Sequence, residues 1–340
     1  MKVDFRWVVV AVLVVVVSGV TNAAYAQVNP RDVPIVTQPQ QRFDAGQDVQ
    51  PIFEGWTSSD DGSYLFHFGY MNRNYREQPS VPIGSDNHFT PGDEDRGQPT
   101  YFFPRTQRYQ FTTRVPADTG TTPEDGIVWH LTVNGSEQLA YGWLQPEWEI
   151  DVNTITSNSR TGFGRPKDML YENDEPAVTV SASRTTVNVG DAVTLTALIT
   201  DDALPPELPP RKPRTRLPSL IRPDDLPKAP DNIRWYTKQR PPRNGLSLLW
   251  TVYRGPTNAT FEPTGFQRSI EEDEAEREVD GSVTAPTSSG TPATNVAGDG
   301  WTSATFETTV TFDEPGTYTV RAWACDAMLL VPADLTITVQ

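Results

Sequence analysis

One cysteine, three histidines and a single long apolar run are all that these 340 residues offer of the features that most often announce a chemistry or a compartment. Cys325 has no partner in the chain, which excludes a disulfide-stapled secreted scaffold. Basic charge is short too. With 28 Lys and Arg against 44 Asp and Glu the net charge is -16, and so acidic a surface repels phosphate, which argues against nucleic-acid binding. No Gly-x-Ser-x-Gly turn and no Gly-x-x-x-x-Gly-Lys loop occurs, so the common serine-nucleophile and phosphate-cradling signatures are missing. Aromatics, by contrast, are plentiful. Nine Trp, eleven Tyr and fourteen Phe supply anchors for packed cores and argue against a disordered chain, and the length has room for about two domains.

The apolar run opens the chain. Lys2 and Arg6 lead into Trp7 to Val20, and Ala24-Tyr25-Ala26 then stands before Gln27. The run is about 14 residues, short of the ~20 that a spanning helix needs, and a small-x-small site follows it. Residues 1–26 therefore read as a secretory signal cut after Ala26, with an uncleaved N-terminal anchor as the alternative. No other stretch could span a bilayer, so the cleaved chain is expected to have no membrane span. Secretion without disulfides fits a bacterial exporter, which points to the periplasm or the cell exterior.

Beyond the signal the periodicity is that of strands. Ser63 to Tyr70 alternates, with Tyr64, Phe66, Phe68 and Tyr70 on one face, and a turn-rich link joins it to Ile52 to Trp56. Ile127 to Val133 and Ser136 to Leu144 flank Asn134-Gly135, the dipeptide that most easily takes positive φ at both central turn positions. Tyr109 to Val115 supplies another strand, while Ile83 to Arg105, rich in Gly and Pro, reads as a long structured loop. The expected organisation is all-β, with two β-sandwich domains: an aromatic-rich one over 27–150, a polar linker over 151–175, and a second over 176–340. Insertions at 203–246 and 266–300 interrupt the second. The first insertion carries eleven prolines and a charge of +6; the second opens with Glu271-Glu272-Asp273-Glu274.

In this second half Val189-Gly190-Asp191 precedes a Thr/Leu strand, and Phe312-Asp-Glu-Pro-Gly-Thr-Tyr318-Thr-Val-Arg-Ala322 leads to Asp326. These segments resemble bacterial immunoglobulin-like modules of the PKD and cadherin-like type. The resemblance implies a sandwich with Tyr318 as a tyrosine corner, its hydroxyl bonded to nearby backbone; it implies no activity. Phe53-Glu-Gly-Trp56, Phe68-Gly-Tyr-Met-Asn-Arg-Asn74 and Asp95-Arg-Gly-Gln-Pro-Thr100 are similar to an uncharacterised family of exported bacterial proteins, which lends architecture only.

Candidate sites follow from residue type. Trp56, Tyr70, Tyr75, Trp143 and Trp148 lie near strand ends or loops, where flat rings can stack on sugars or peptides, although core packing is the commoner fate of such rings. Asp86, Asn87, Asp93 and Asp95 concentrate oxygens in a glycine-containing loop around His88. Calcium wants six to eight oxygens and is the cofactor such a loop would take, but the alternating EF-hand spacing is missing and a solvated turn-rich loop is the competing reading. His67 and His130 sit in strands as either half-buried side chains or a metal pair. Asp201, Asp202 and Asp326 end strands at one pole of the second sandwich, where they would share a cation or face the basic insertion. Cys325 reads as a small buried hydrophobe. The expected function is an exported non-catalytic binding or structural protein that recognises carbohydrate or another protein at the cell envelope. The alternatives are a carbohydrate-active hydrolase using first-domain carboxylates, which would need two acids across a cleft, and a calcium-stiffened spacer.

Overall fold

Alternating apolar residues become inward-facing strands along most of the chain in the computed structural model, which describes residues 43–159, 161–162, 165–209, 241–270 and 298–340. The expected export signal lies outside these residues, as do 210–240 and 271–297 of the two insertions. The fold is all-β. Strands β1 (Val49–Ser58), β2 (Tyr64–Asn72) and β4 (Arg105–Val115) form one antiparallel sheet in the order β1-β2-β4. Strands β3 (Asn87–Thr90), β5 (Ile127–Val133) and β6 (Ser136–Gly142) form a second in the order β3-β5-β6.

Period-two alternation sends Phe66, Phe68 and Tyr70 of β2 into the space between these sheets, all at most 1% exposed. There Phe68 stacks on Phe111 of β4 at 5.4 Å and meets Phe89 of β3 and Trp129 of β5 nearly edge-on. Offset and edge-to-face arrangements of this kind add to the stabilisation that ring burial already gives. The β5–β6 hairpin turns through Asn134 and Gly135 at φ of 52° and 75°, the positive values that this dipeptide tolerates. Strand β3 lies inside the segment expected as loop. Four residues between Asp86 and Pro91 are too few for alternation to register in sequence, and they pair with Val128 to Leu131 of β5.

The second half is an immunoglobulin-like sandwich. One sheet has the order β11-β13-β9-β7, from β7 (Ala177–Ala182), β9 (Val193–Thr200), β11 (Ala259–Glu262) and β13 (Ser303–Phe312). The other has the order β12-β10-β14-β15-β8, from β8 (Thr186–Val187), β10 (Ser247–Arg254), β12 (Gln267–Arg268), β14 (Gly316–Cys325) and β15 (Leu330–Val339). Tyr318 is fully buried and its hydroxyl donates to the Glu314 carbonyl at 2.9 Å, as a tyrosine corner does. Tyr318→Phe is expected to cost about 1 kcal/mol in urea unfolding, the usual worth of one such bond.

Between the sandwiches, helix α1 (Val152–Ser159) starts behind Asp151, whose Oδ1 accepts the Thr154 amide at 2.7 Å as an N-cap does. A one-turn 3-10 helix at Asp168–Tyr171 follows, and Leu170 packs on Met328 and Leu329. The polar composition of 151–175 conceals these few apolar contacts. Among the described residues no helix is long and apolar enough to cross a membrane.

The described residues belong to one compact unit because the two sandwiches exchange aromatic side chains. Tyr101 and Phe103, from the first half, pack in the core of the second; Tyr253 of β10 packs in the core of the first. Around this exchange the Thr100 and Tyr101 amides donate to the Tyr253 carbonyl, Ser80 Oγ donates to the Gly255 carbonyl at 2.7 Å, and the Tyr253 hydroxyl donates to the Gly97 carbonyl. Arg254 makes a two-pronged bond to Asp95 at 2.7 and 2.8 Å and reaches the Gln98 carbonyl. Arg321 places its guanidinium 3.3 Å from the centre of the Tyr253 ring, pairs with Asp334 and donates to the Gln110 carbonyl. Planar guanidinium groups suit such work because one face stacks while the edge donates several bonds.

Candidate functional site

The five aromatics singled out from sequence separate into three environments. Tyr70 and Trp56 are interior. Tyr70 is 1% exposed, meets Phe102 edge-on and accepts the Phe103 amide with its hydroxyl; Trp56 donates its ring N–H to the Gln145 carbonyl at 2.8 Å. Both rings are spent on packing and neither offers a face to a ligand. Tyr75 and Trp143 are half-exposed, and Arg105 covers one face of Tyr75 at 4.2 Å. Trp148 is different. It is 41% exposed and lies nearly parallel to the core residue Phe53, at 5.6 Å and 13°. One ring face is thus fixed by the core while the other side meets solvent. Pro146 and a 3-10 turn set the backbone there, and the Trp148 amide donates to the Gln145 carbonyl.

The oxygen-rich loop does not converge. Asn87 is fully buried: its amide N–H groups donate to the Val81 and Pro99 carbonyls, both at 2.9 Å, and its Oδ1 accepts the Trp129 ring N–H at 2.9 Å. Its amide is committed to interior partners rather than to the solvent side of the loop, which corrects its expected role to a core bracket. Asp95 turns to Arg254 in the other sandwich, and the hydrogen bond from that guanidinium holds its carboxyl below the usual range. Asp86 and Asp93 are exposed. Among the described residues no group of three His, Cys, Asp or Glu side chains is arranged to hold a metal ion.

The histidines pair differently from the sequence expectation. His130 lies opposite His88, and the two rings stack at 4.6 Å and 7°. His130 also reaches Thr90 Oγ1 and Glu137 Oε1. His67 belongs to the other sheet, bonds Thr57 Oγ1 at 3.0 Å, and is pushed by burial to a pKa of about 4, so it is neutral at physiological pH. Parallel stacked rings turn π-faces, rather than lone pairs, toward each other. Cys325 is fully buried, which pushes its thiol up and keeps it un-ionised.

One cluster escaped sequence analysis. Register shifts in β1 at Glu54 and across β2–β4 near Gly69 bring Glu54, Arg108 and Tyr109 together on the outer face of the first sheet. Glu54 Oε2 pairs with Arg108 at 2.6 Å, while Oε1 is sealed without a hydrogen-bond partner above Gly69, where an added Cβ would come within 2.6 Å of it. Burial raises the Glu54 carboxyl, with Arg108 opposing. Bulges re-aim side chains in this way; the sequence signal was Gly69, a residue without a side chain in an otherwise filled strand. Glu54 is the one buried acid of the first sandwich among the described residues, and its partner is a cation rather than the second carboxylate a glycosidase requires.

No protein-family model and no curated protein matches the chain. Among solved structures it is similar to the D00-D0 domain of intimin, with a TM-score of 0.22 and 10% identity over 85% of this chain and 99% of that one; so distant a likeness lends nothing about function.

Proposed function

We propose that this is an exported, non-catalytic binding protein of the bacterial periplasm or cell exterior, and that it recognises carbohydrate through Trp148. The exposed ring stacked on Phe53 carries the reading. A sugar ring docks on an indole through its C–H face, and a platform already fixed against a core residue loses little freedom on binding. Two features support a role without bond-breaking: the buried, un-ionised Cys325 and the neutral, buried His67 are both poorly suited to nucleophilic or acid–base work. The division into domains over 27–150 and 176–340 joined by 151–175, the PKD- or cadherin-like type of the second, and cleavage after Ala26 belong to the same proposal.

Pull-down of the mature chain on insoluble cellulose, chitin and peptidoglycan sacculi tests it. Retention on at least one of these is expected, with Trp148→Ala weakening it about fivefold or more, since stacking is worth roughly 1 kcal/mol or above, while the variant stays folded with a stability loss of about 1 kcal/mol from the missing Phe53 contact. Retention unaffected by Trp148→Ala, or retention on none of the three, overturns the carbohydrate reading.

A further inference from the structure

One pole of the second sandwich collects carboxylates, and among the described residues no ion pair to Asp201 or Asp326 is formed. Asp201 directly follows β9 and Asp326 directly follows β14. Asp326 is 2% exposed; its Oδ1 accepts the Met328 and Leu329 amides at 2.6 Å, and its Oδ2 accepts the Asn173 side-chain amide at 2.6 Å. Asp201 accepts the Ala203 amide with Oδ2, whereas its Oδ1 is sealed from solvent without a hydrogen-bond partner. Asn173, 8% exposed, likewise keeps a sealed and partnerless Oδ1. Two buried acceptors without donors next to a buried carboxylate amount to a missing hydrogen.

The surrounding charges do not supply it. Asp202 and Asp174 add repulsion, and Asp202 is engaged with the Asp174 and Leu204 amides. Asp299, on the loop whose Thr302 carbonyl accepts the Asp201 amide, is turned to the amides of Trp301, Thr302 and Ser303. Arg165 is the nearby cation on the crossover; it feels the attraction of Asp326, but it donates its hydrogen bonds to the Pro206 and Arg243 carbonyls and to Asn244 Oδ1 rather than to either carboxyl. Arg243 stands beside it as a second cation whose repulsion Arg165 feels. Cys325, next to Asp326, is un-ionised.

We propose that Asp201 and Asp326 form a proton-operated latch: a proton taken up by this pair of neighbouring carboxyls ties the 165–174 crossover and the roots of the first insertion, 201–208 and 243–244, to the end of the sandwich, and its loss loosens them. The roots meet here because Asn244 bonds the backbone of Leu208 at both its N–H and its carbonyl. Burial, with the neighbouring carboxylates, raises Asp201 to about 7, and burial raises Asp326 to about 6. The two titrate as a pair, so these values belong to the pair. Both lie above the unfolded value of 3.8, so the folded state binds more protons. The stabilisation is full below about pH 4 and is lost as pH rises through about 6 to 7. His67, lowered to about 4, acts in the opposite direction below about pH 6.5, so the latch is read by comparison with a variant rather than from wild type alone.

Hydrogen exchange of the mature chain in the presence of EDTA, at about pH 5.5 and 8 with intrinsic rates corrected, tests the latch. Amides of 165–174 and 201–208 are expected to lose protection about tenfold at the higher pH relative to β9 and β14, and Asp201→Asn is expected to hold them protected at both. Equal protection of wild type at both pH values overturns the proposal, as does a loss that persists in Asp201→Asn. A pH response present only without EDTA assigns the pole to a bound cation and overturns it too. Should Asp201→Asn not fold, difference infrared spectra of Glu54→Gln, which removes the other raised carboxyl, decide: a protonated-carboxyl band that disappears between about pH 5.5 and 8 supports the latch, and its absence sinks it.

Discussion

Tyr253→Ala should remove about 4 kcal/mol from the stability of the molecule and split its unfolding into two steps. The ring is 4% exposed, fills the first sandwich's core from a strand of the second, and carries Arg321 on its face. Truncating a buried aromatic costs about 3–5 kcal/mol through lost transfer energy and the cavity left behind. Here the cavity opens at the exchange that couples the halves. Wild type should therefore show one urea transition, coincident by tryptophan fluorescence and far-ultraviolet circular dichroism, and the variant two. Two separate transitions in wild type would mean that the exchanged rings do not couple the sandwiches.

Asn87→Ala should cost about 3 kcal/mol. It leaves the Val81 and Pro99 carbonyls and the Trp129 ring N–H unpartnered in the interior, at roughly 1 kcal/mol or more for each group. Asp86→Ala and Asp93→Ala, exposed in the same segment, should stay within about 0.5 kcal/mol of wild type. Urea midpoints with and without calcium check both statements. A calcium-dependent loss in Asp93→Ala would restore the loop as a cation site.

Much of the architecture was readable because alternation survives wherever one sheet face is covered. Ser63 to Tyr70 announced β2, Asn134-Gly135 its hairpin, and the Pro-Gly-Thr-Tyr segment the buried corner at Tyr318. What alternation cannot tell is which rings near a strand end remain uncovered. Trp56 and Trp148 look alike in sequence, but a parallel bridge between Trp56 and Glu149 leaves one inside and the other out. Bulges defeat the pattern for a different reason: a one-residue shift at Glu54 changes the phase, so a buried acid sits where a solvent-facing one is read. The pole at Asp201 and Asp326 was legible from strand order; Asn173 and Asp174 were not, since they come from a crossover whose position depends on Leu170 and two residues after β14.

The exchanged rings also set an order of assembly. The first sandwich has all its own strands once Gly142 is made, yet a place in its interior waits for Tyr253, which arrives only with β10. A chain emerging N-terminus first must hold that half incomplete, with apolar surface open to solvent, until the later strand is delivered. Long-range closure of this kind is slow and leaves the intermediate prone to aggregation, so a chaperone that shields the early half would act before the second begins to fold.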